Sequence, residues 1–453
     1  MVTKMKNILL FAFFLLSAVS LHAQKIYLCE GFDADDITLT DPSNFTFSSD
    51  QKTVTIEGTT YNISDIDSIT FAEPQFESVD IVWNGSSATV NIPASLQKVV
   101  TANINGGHVT IISSTTDQEI LYTLSGSSSN GSLTINGNYK FTMHLKGVSL
   151  TSGNALPALN ILCGKRIEMK MMKGTTNSFE DNAMNTSKGA VYVKGHLEVK
   201  GKGTLNVTGK SSHALKVGEY CQFKSSTGDV NILSAVSDGI HCGDGSKLAE
   251  DYEDNRLIVN GGNITVSNCK SDCIDCDDYG TAIINGGTIN LNVSQSDGTG
   301  LKADSIVYMN GGTINLNVTG NISEGIRYCY AGYFDGGSIN GTITGKGARG
   351  LKAKKTTSAT DTVLNGGYSY WNGTNVTLSA TGGTYTADAS KCMGLRSDNN
   401  MTVTAGTIAI TTSNSSTGIS VKGTYKQTGG TVTVDGKAFT NYGIGTLKRR
   451  FAP

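Results

Sequence analysis

"NGGNITV" at 260–266, "NGGTINL" at 285–291, "NGGTINL" again at 310–316 and "DGGSING" at 335–341 begin 25 residues apart each time. A fixed step of that size marks a repeat architecture in which each unit covers the next. Within each copy the apolar residues take every second place, as in Ile289 and Leu291 or Ile314 and Leu316, with Thr or Asn between. That alternation predicts short strands with one buried face. The frame continues at Gly203 "GTLNV", Gly228 "GDVNI", Gly383 "GTYTA", Gly406 "GTIAI" and Gly430 "GTVTV". Short strands without helices at this period predict an all-β chain wound as a right-handed parallel β-helix, roughly a dozen coils stacked about 4.8 Å apart. Stacking would set Asn260, Asn285, Asn310 and Asn365 into an asparagine ladder, and the glycines after each Asn allow the corner to turn at positive φ.

The composition agrees. The 453 residues include 54 glycines and five prolines, and the net charge is −2. Such a balance excludes a general affinity for nucleic acid or anionic membrane. Lys4 and Lys6 precede an apolar run from Ile8 to Val19 that ends near Ala23, which reads as an export signal over 1–23 and predicts a secreted or cell-surface protein. No later run approaches the ~18 apolar residues of a membrane span. The expected organisation is a leader over 24–76, a β-helix over 77–445 and a short tail over 446–453, in a monomer.

A second column runs through another strand of each coil: "SHALKV", "SDGIHC", "SDCIDC", "GTGLKA", "SEGIRY", "ARGLKA", "CMGLRS" and "STGISV". With Leu215, Ile240, Ile274, Leu301, Ile326, Leu351, Leu395 and Ile419 inward, the next residue faces out. The outward column reads Lys216, His241, Asp275, Lys302, Arg327, Lys352, Arg396 and Ser420. One side of a near-neutral protein thus carries a basic stripe, broken by the acidic "SDCIDCDDYG" at 271–280.

"AVYVKGHLEVKGKGTLNV" at 190–207, the "SDGI" strand starts, the "NGGTI" repeats and above all "ALNILCGKRIEMKMMKGTTNSFEDN" at 158–182 resemble a family of secreted bacterial carbohydrate-binding β-helix proteins. The resemblance covers roughly residues 79–436, and in architecture that family is similar to pectate lyases. It implies binding of plant cell-wall polysaccharide, especially acidic pectic chains, with calcium. "YNISDIDSITFAEP" at 61–74 resembles a leader of exported Bacteroidetes proteins. His241, Cys273 and Asp275 depart from the simpler residues usual in the family's strands.

The acidic stretch has its own chemistry. Asp275 and Asp277 share a face, and Asp277 should lie beside Asp304 one coil on, because Asp275 aligns with Lys302. Carboxylates so close repel unless a cation lies between them. Calcium takes six to eight oxygens, which Asp275, Asp277 and Asp304 could begin to supply, with Asp272, Asp278 and the loop acids Asp244 and Asp251 completing the shell. The alternatives are an ionic ladder in which Asp275 neutralises His241 and Lys302, and a divalent metal other than calcium.

Lys302, Arg327 and Lys352 on successive coils suit a line of uronate carboxylates, with Lys216, His241 and Arg396 extending the stripe. Crowded cations should also lower a lysine pKa, the property of a proton-abstracting base in pectate-lyase chemistry, with Lys302 or Arg327 in that role. Tyr328 and Tyr330 beside Arg327, and Tyr368, Tyr370 and Trp371 in the insertion at 366–383, are candidates for stacking on sugar rings; the alternative is a loop that packs its own aromatics on the coil stack. Cys242 and Cys276 share one inward column, as a buried thiol ladder or a disulfide. The C-x-x-C of Cys273 and Cys276 lacks the second pair a zinc site would need. The resulting expectation is noncatalytic binding of acidic plant cell-wall glycan, pectin or polygalacturonate with cellulose a further candidate, assisted by calcium. A calcium-dependent lyase and a surface adhesin are the alternatives.

Overall fold

The computed structural model describes residues 24–243, 255–355 and 366–440, apart from Glu73 and Asp278. The segment 1–23, Asp244, Asp251, Asp278, Asn365 and the tail 446–453 therefore lie outside the described residues. The described chain is all β, with two 3₁₀ turns at Pro42–Asn44 and Ile63–Asp65. None of its helices is long and apolar enough to cross a membrane. It divides into two compact units between Ser78 and Val79.

The smaller unit holds two three-stranded antiparallel sheets. In one, Gln24–Glu30 lies between Asp33–Leu39 and Ser68–Thr70; in the other, Thr53–Ile56 lies between Phe45–Phe47 and Thr59–Asn62. Ile26, Leu28, Leu39, Val54, Ile56, Ile66 and Ile69 form its core.

The larger unit is built from three long ladders of parallel strands. One coil contributes one strand to each, as Thr281–Ile284, Thr288–Val293 and Thr299–Ala303 do before Ile306–Met309 begins the next. The third kind of strand forms the ladder that carries the basic column, called here the first ladder: His213–Val217, Ile240–Cys242, Ile274–Cys276, Thr299–Ala303, Glu324–Tyr328, Arg349–Ala353, Met393–Ser397 and Thr417–Val421 pair in that order. The second ladder includes Thr281–Ile284, Ile306–Met309, Ala331–Phe334 and Tyr368–Asn372; the third includes Asn263–Val266, Thr288–Val293, Thr313–Val318 and Ser338–Ile343.

Identical sequence places identical side chains above one another. Thr288–Val293 and Thr313–Val318 match across six residues without a slip, so Ile289 lies on Ile314 and Leu291 on Leu316, all buried. Each such side chain contributes about 1.5–3 kcal/mol through burial, which is why the alternation fixes the register. At the corners Asn285 Nδ2 donates to Asn260 Oδ1 and Asn310 Nδ2 to Asn285 Oδ1, both at 2.8 Å. Gly312 turns its corner at φ +75°, where a Cβ would lie 2.7 Å from the Gly286 carbonyl oxygen.

Candidate functional site

The outward column of the first ladder has the register its sequence predicts. Lys216 pairs with His241, His241 with Asp275, Asp275 with Lys302, Lys302 with Arg327, Arg327 with Lys352, Lys352 with Arg396 and Arg396 with Ser420. It is not a row of bare cations. Lys216 and His241 are buried, and the Lys216 ammonium donates to the Gly243 carbonyl. Farther along, Glu324 receives Arg327 Nη1 at 3.7 Å, Arg349 Nη1 at 3.5 Å and the Lys352 ammonium. Asp398 receives Arg396 Nε and Lys422 Nζ, both at 2.9 Å.

At the acidic end, Lys302 Nζ lies 3.0 Å from Asp275 Oδ2, 2.8 Å from Asp277 Oδ1 and 3.9 Å from Asp304 Oδ1. The ammonium thus fills the place between Asp277 and Asp304 expected for a metal ion. A different set of carboxylates converges behind it. Asp238, Asp272 and Asp275, all buried, bring one oxygen each within 4.8 Å of one another. Asp238 Oδ2 is shared by His213 Nδ1 at 3.1 Å and His241 Nδ1 at 3.0 Å, and its Oδ1 accepts from the Asp272 N–H at 3.0 Å. Asp272 Oδ1 accepts from the Thr299 N–H at 2.6 Å. Asp275 is 4% exposed, and among the described residues its buried Oδ1 has no hydrogen-bond partner.

Burial is the largest influence on each of these acids. It pushes Asp275 up to about 8, helped by Asp277 and Asp238 against the pull of Lys302. Burial and the Asp238 charge likewise raise Asp272. At Asp238 burial is outweighed by hydrogen bonds from His213, His241, Ser271 and the Asp272 N–H, which hold the carboxyl well below the carboxylate range. Three buried carboxylates with an orphaned oxygen are oxygen-only donors of the kind calcium takes, so Asp238, Asp272 and Asp275 fit such an ion.

Several expectations need correction. Burial pulls the Lys302 pKa down, but Asp275, Asp277 and Asp304 outweigh it and raise it, so Lys302 stays charged and is unsuited to removing a proton. The lowered lysine is Lys352, through burial, Arg349 and Arg396. Tyr328 is 1% exposed, with its hydroxyl 2.7 Å from Ser369 Oγ. Its column reads Cys276, Ala303, Tyr328 and Ala353, and the small neighbours give the ring room inside. Trp371 is equally buried and stacks on Phe334 at 3.9 Å, because strand parity turns Tyr370 out and Trp371 in. Neither ring can meet a sugar. Tyr370, 36% exposed, can.

Asp238, His213, Glu324 and Arg349 escaped the sequence reading, although "SDGI" at 237–240 aligns Asp238 with Asp272 of "SDCI". Cys242 and Cys276 are paired in register, and all nine cysteines are buried free thiols.

No curated protein matches the chain. Among solved structures, the polysaccharide lyase-like protein from C. thermocellum, determined as a gadolinium derivative, aligns with 14% identity over 77% of this chain and 96% of that one, at a TM-score of 0.32. The family model described as carbohydrate-binding domain-containing protein matches residues 105–438. That match takes in most of the ladder unit and more than half of the sequence, and the chain belongs to this carbohydrate-binding family.

Proposed function

We propose that the protein is an exported, noncatalytic binder of acidic plant cell-wall polysaccharide, pectin or polygalacturonate, wound as a right-handed parallel β-helix. The chain would lie along the first ladder. The observation that carries this reading is the convergence of Asp238, Asp272 and Asp275, with the unpartnered Asp275 oxygen, at one end of the Lys302–Arg327–Lys352–Arg396 column. Calcium held by these three acids would supply a positive centre that a uronate carboxylate can share. Arg327, Arg349 and Lys352 surround a single Glu324 carboxylate, three cations against one anion, and this excess favours the polymer's next carboxylates. Membership in a carbohydrate-binding family supports the ligand class, and the raised Lys302 pKa favours binding over proton abstraction.

Titration calorimetry of the exported chain with polygalacturonate, with calcium or with chelator, tests the proposal while ultraviolet absorbance follows any unsaturated product. Calcium-dependent heat with flat absorbance is the expected result, and Asp238→Asn with Asp272→Asn should abolish the calcium dependence. No heat in either state sinks the acidic-glycan reading, and rising absorbance replaces binding with elimination.

A further inference from the structure

The second ladder carries a surface of different chemistry. Tyr308, Tyr333 and Tyr370 occupy one outward column on consecutive coils. Their rings are nearly parallel, at 11° and 10°, with centroids 5.2 and 5.1 Å apart. Tyr368 lies 6.3 Å from Tyr370 and 6.4 Å from Tyr330. Among the described residues, none of these five hydroxyls has a hydrogen-bond partner. Beyond the corner asparagines, the third-ladder strands Thr288–Val293, Thr313–Val318 and Ser338–Ile343 contain no charged residue. In the same coils the first ladder holds Lys302, Glu324, Arg327, Arg349 and Lys352. Within the strands of these coils charge therefore collects on the first ladder, while Asp335, exposed at the corner after Ala331–Phe334, and Asp297 and Lys346 in the turns lie outside the strands.

We propose that Tyr308, Tyr333 and Tyr370 form a second glycan-binding face, for an uncharged polysaccharide lying along the ladder. Tyr333 has both ring faces covered by its neighbours, so the row offers edges and hydroxyls instead of open faces. A phenol hydroxyl donates and accepts, as a sugar hydroxyl does, and here one recurs per coil at a spacing close to the length of one extended hexose. Ring stacking holds the hydroxyls in line before any ligand arrives, which lowers the ordering cost of binding. Partial burial raises the Tyr333 and Tyr370 pKa values, which favours their neutral phenol form. A polyuronate finds no countercharge on this column, whereas an uncharged chain loses none.

The triple variant Tyr308→Phe, Tyr333→Phe, Tyr370→Phe keeps the stack and removes only the hydroxyls. Mixed-linkage β-glucan, a soluble neutral polymer, is the probe, with polygalacturonate measured in parallel on the same samples. The expected result is that the wild type binds the glucan and the variant binds it roughly tenfold or more weakly, as loss of several hydrogen bonds implies, with polygalacturonate binding unchanged. A wild type that ignores the glucan, or a variant that binds it equally well, overturns the proposal. Glucan binding that depends on the hydroxyls in a protein that ignores polygalacturonate would leave this face standing and remove the first-ladder reading alone.

Discussion

Asp275 is where one side chain carries most of the site's electrostatic cost. Facing it are Asp238, Asp272, Asp277, His241 and Lys302. Burial, with Asp277 and Asp238, raises its pKa from the ordinary 3.8 to about 8. The folded state therefore holds a proton that the unfolded chain has released between about pH 4 and pH 8. The Asp275 contribution to stability is fully present below that window and is lost as pH rises through it. A cation competes for the same carboxyl, so calcium binding should release a proton and strengthen from pH 6 to pH 8. Thermal melts with and without calcium check this: the calcium-induced rise in melting temperature should grow with pH in the wild type and vanish in Asp275→Asn. The same variant without calcium should melt several degrees above the wild type at pH 8, since it no longer buries a charge. A wild type whose melting is indifferent to calcium at pH 8 would remove the metal from this cluster.

Along one strand, parity decides more than residue type. The period and the alternation were sufficient to place Leu301, Ile326 and Leu351 inside and Lys302, Arg327 and Lys352 outside, and the pairing reproduces that column. The same parity places Tyr328 in the column of Cys276, and Trp371 opposite Phe334. Reading those aromatics as sugar contacts followed their chemistry against their position. The charge pairing was harder to see, because Asp238 and Glu324 enter their clusters from three residues before the outward residue and reach across coils to His213 and Arg349. A repeat pattern reports which face a residue takes, but not how far its side chain folds back. The corrected assignment has a direct test. Trp371→Ala and Tyr328→Ala should each cost about 3–5 kcal/mol, the usual penalty for an emptied aromatic core position, and lower the denaturation midpoint accordingly. Neither should change glycan affinity per folded molecule, measured on the fraction that remains native. Tighter or weaker binding without loss of stability would return these rings to the surface.

At the scale of the ladder unit, the repeat separates, over residues 281–372, two chemistries that a globular surface would mix. Because each coil gives one strand to each ladder, a residue type fixed at one coil position becomes a stripe: in this stretch the strand charges collect on the first ladder and amides and phenols on the others, whereas in earlier coils the second ladder carries Glu168, Lys170, Glu198 and Lys200. Cations exceed carboxylates around Glu324 and Asp398, so a polyanion would be attracted there over a distance that salt shortens. The Debye length falls from about 10 Å at 0.1 M to about 3 Å at 1 M ionic strength, which leaves direct pairs intact and removes attraction between more distant charges. Polygalacturonate affinity should therefore drop steeply with added sodium chloride at fixed calcium, on the order of tenfold across that range, and the double variant Arg327→Gln, Lys352→Gln should flatten the slope. Binding of neutral glucan to the tyrosine column should hold nearly constant over the same series, because no ion pair forms there. Parallel titrations of both polymers across the salt series decide the matter: one common slope would mean that a single surface takes both, whereas one steep and one flat slope would locate acidic and neutral chains on separate ladders of the same coil stack.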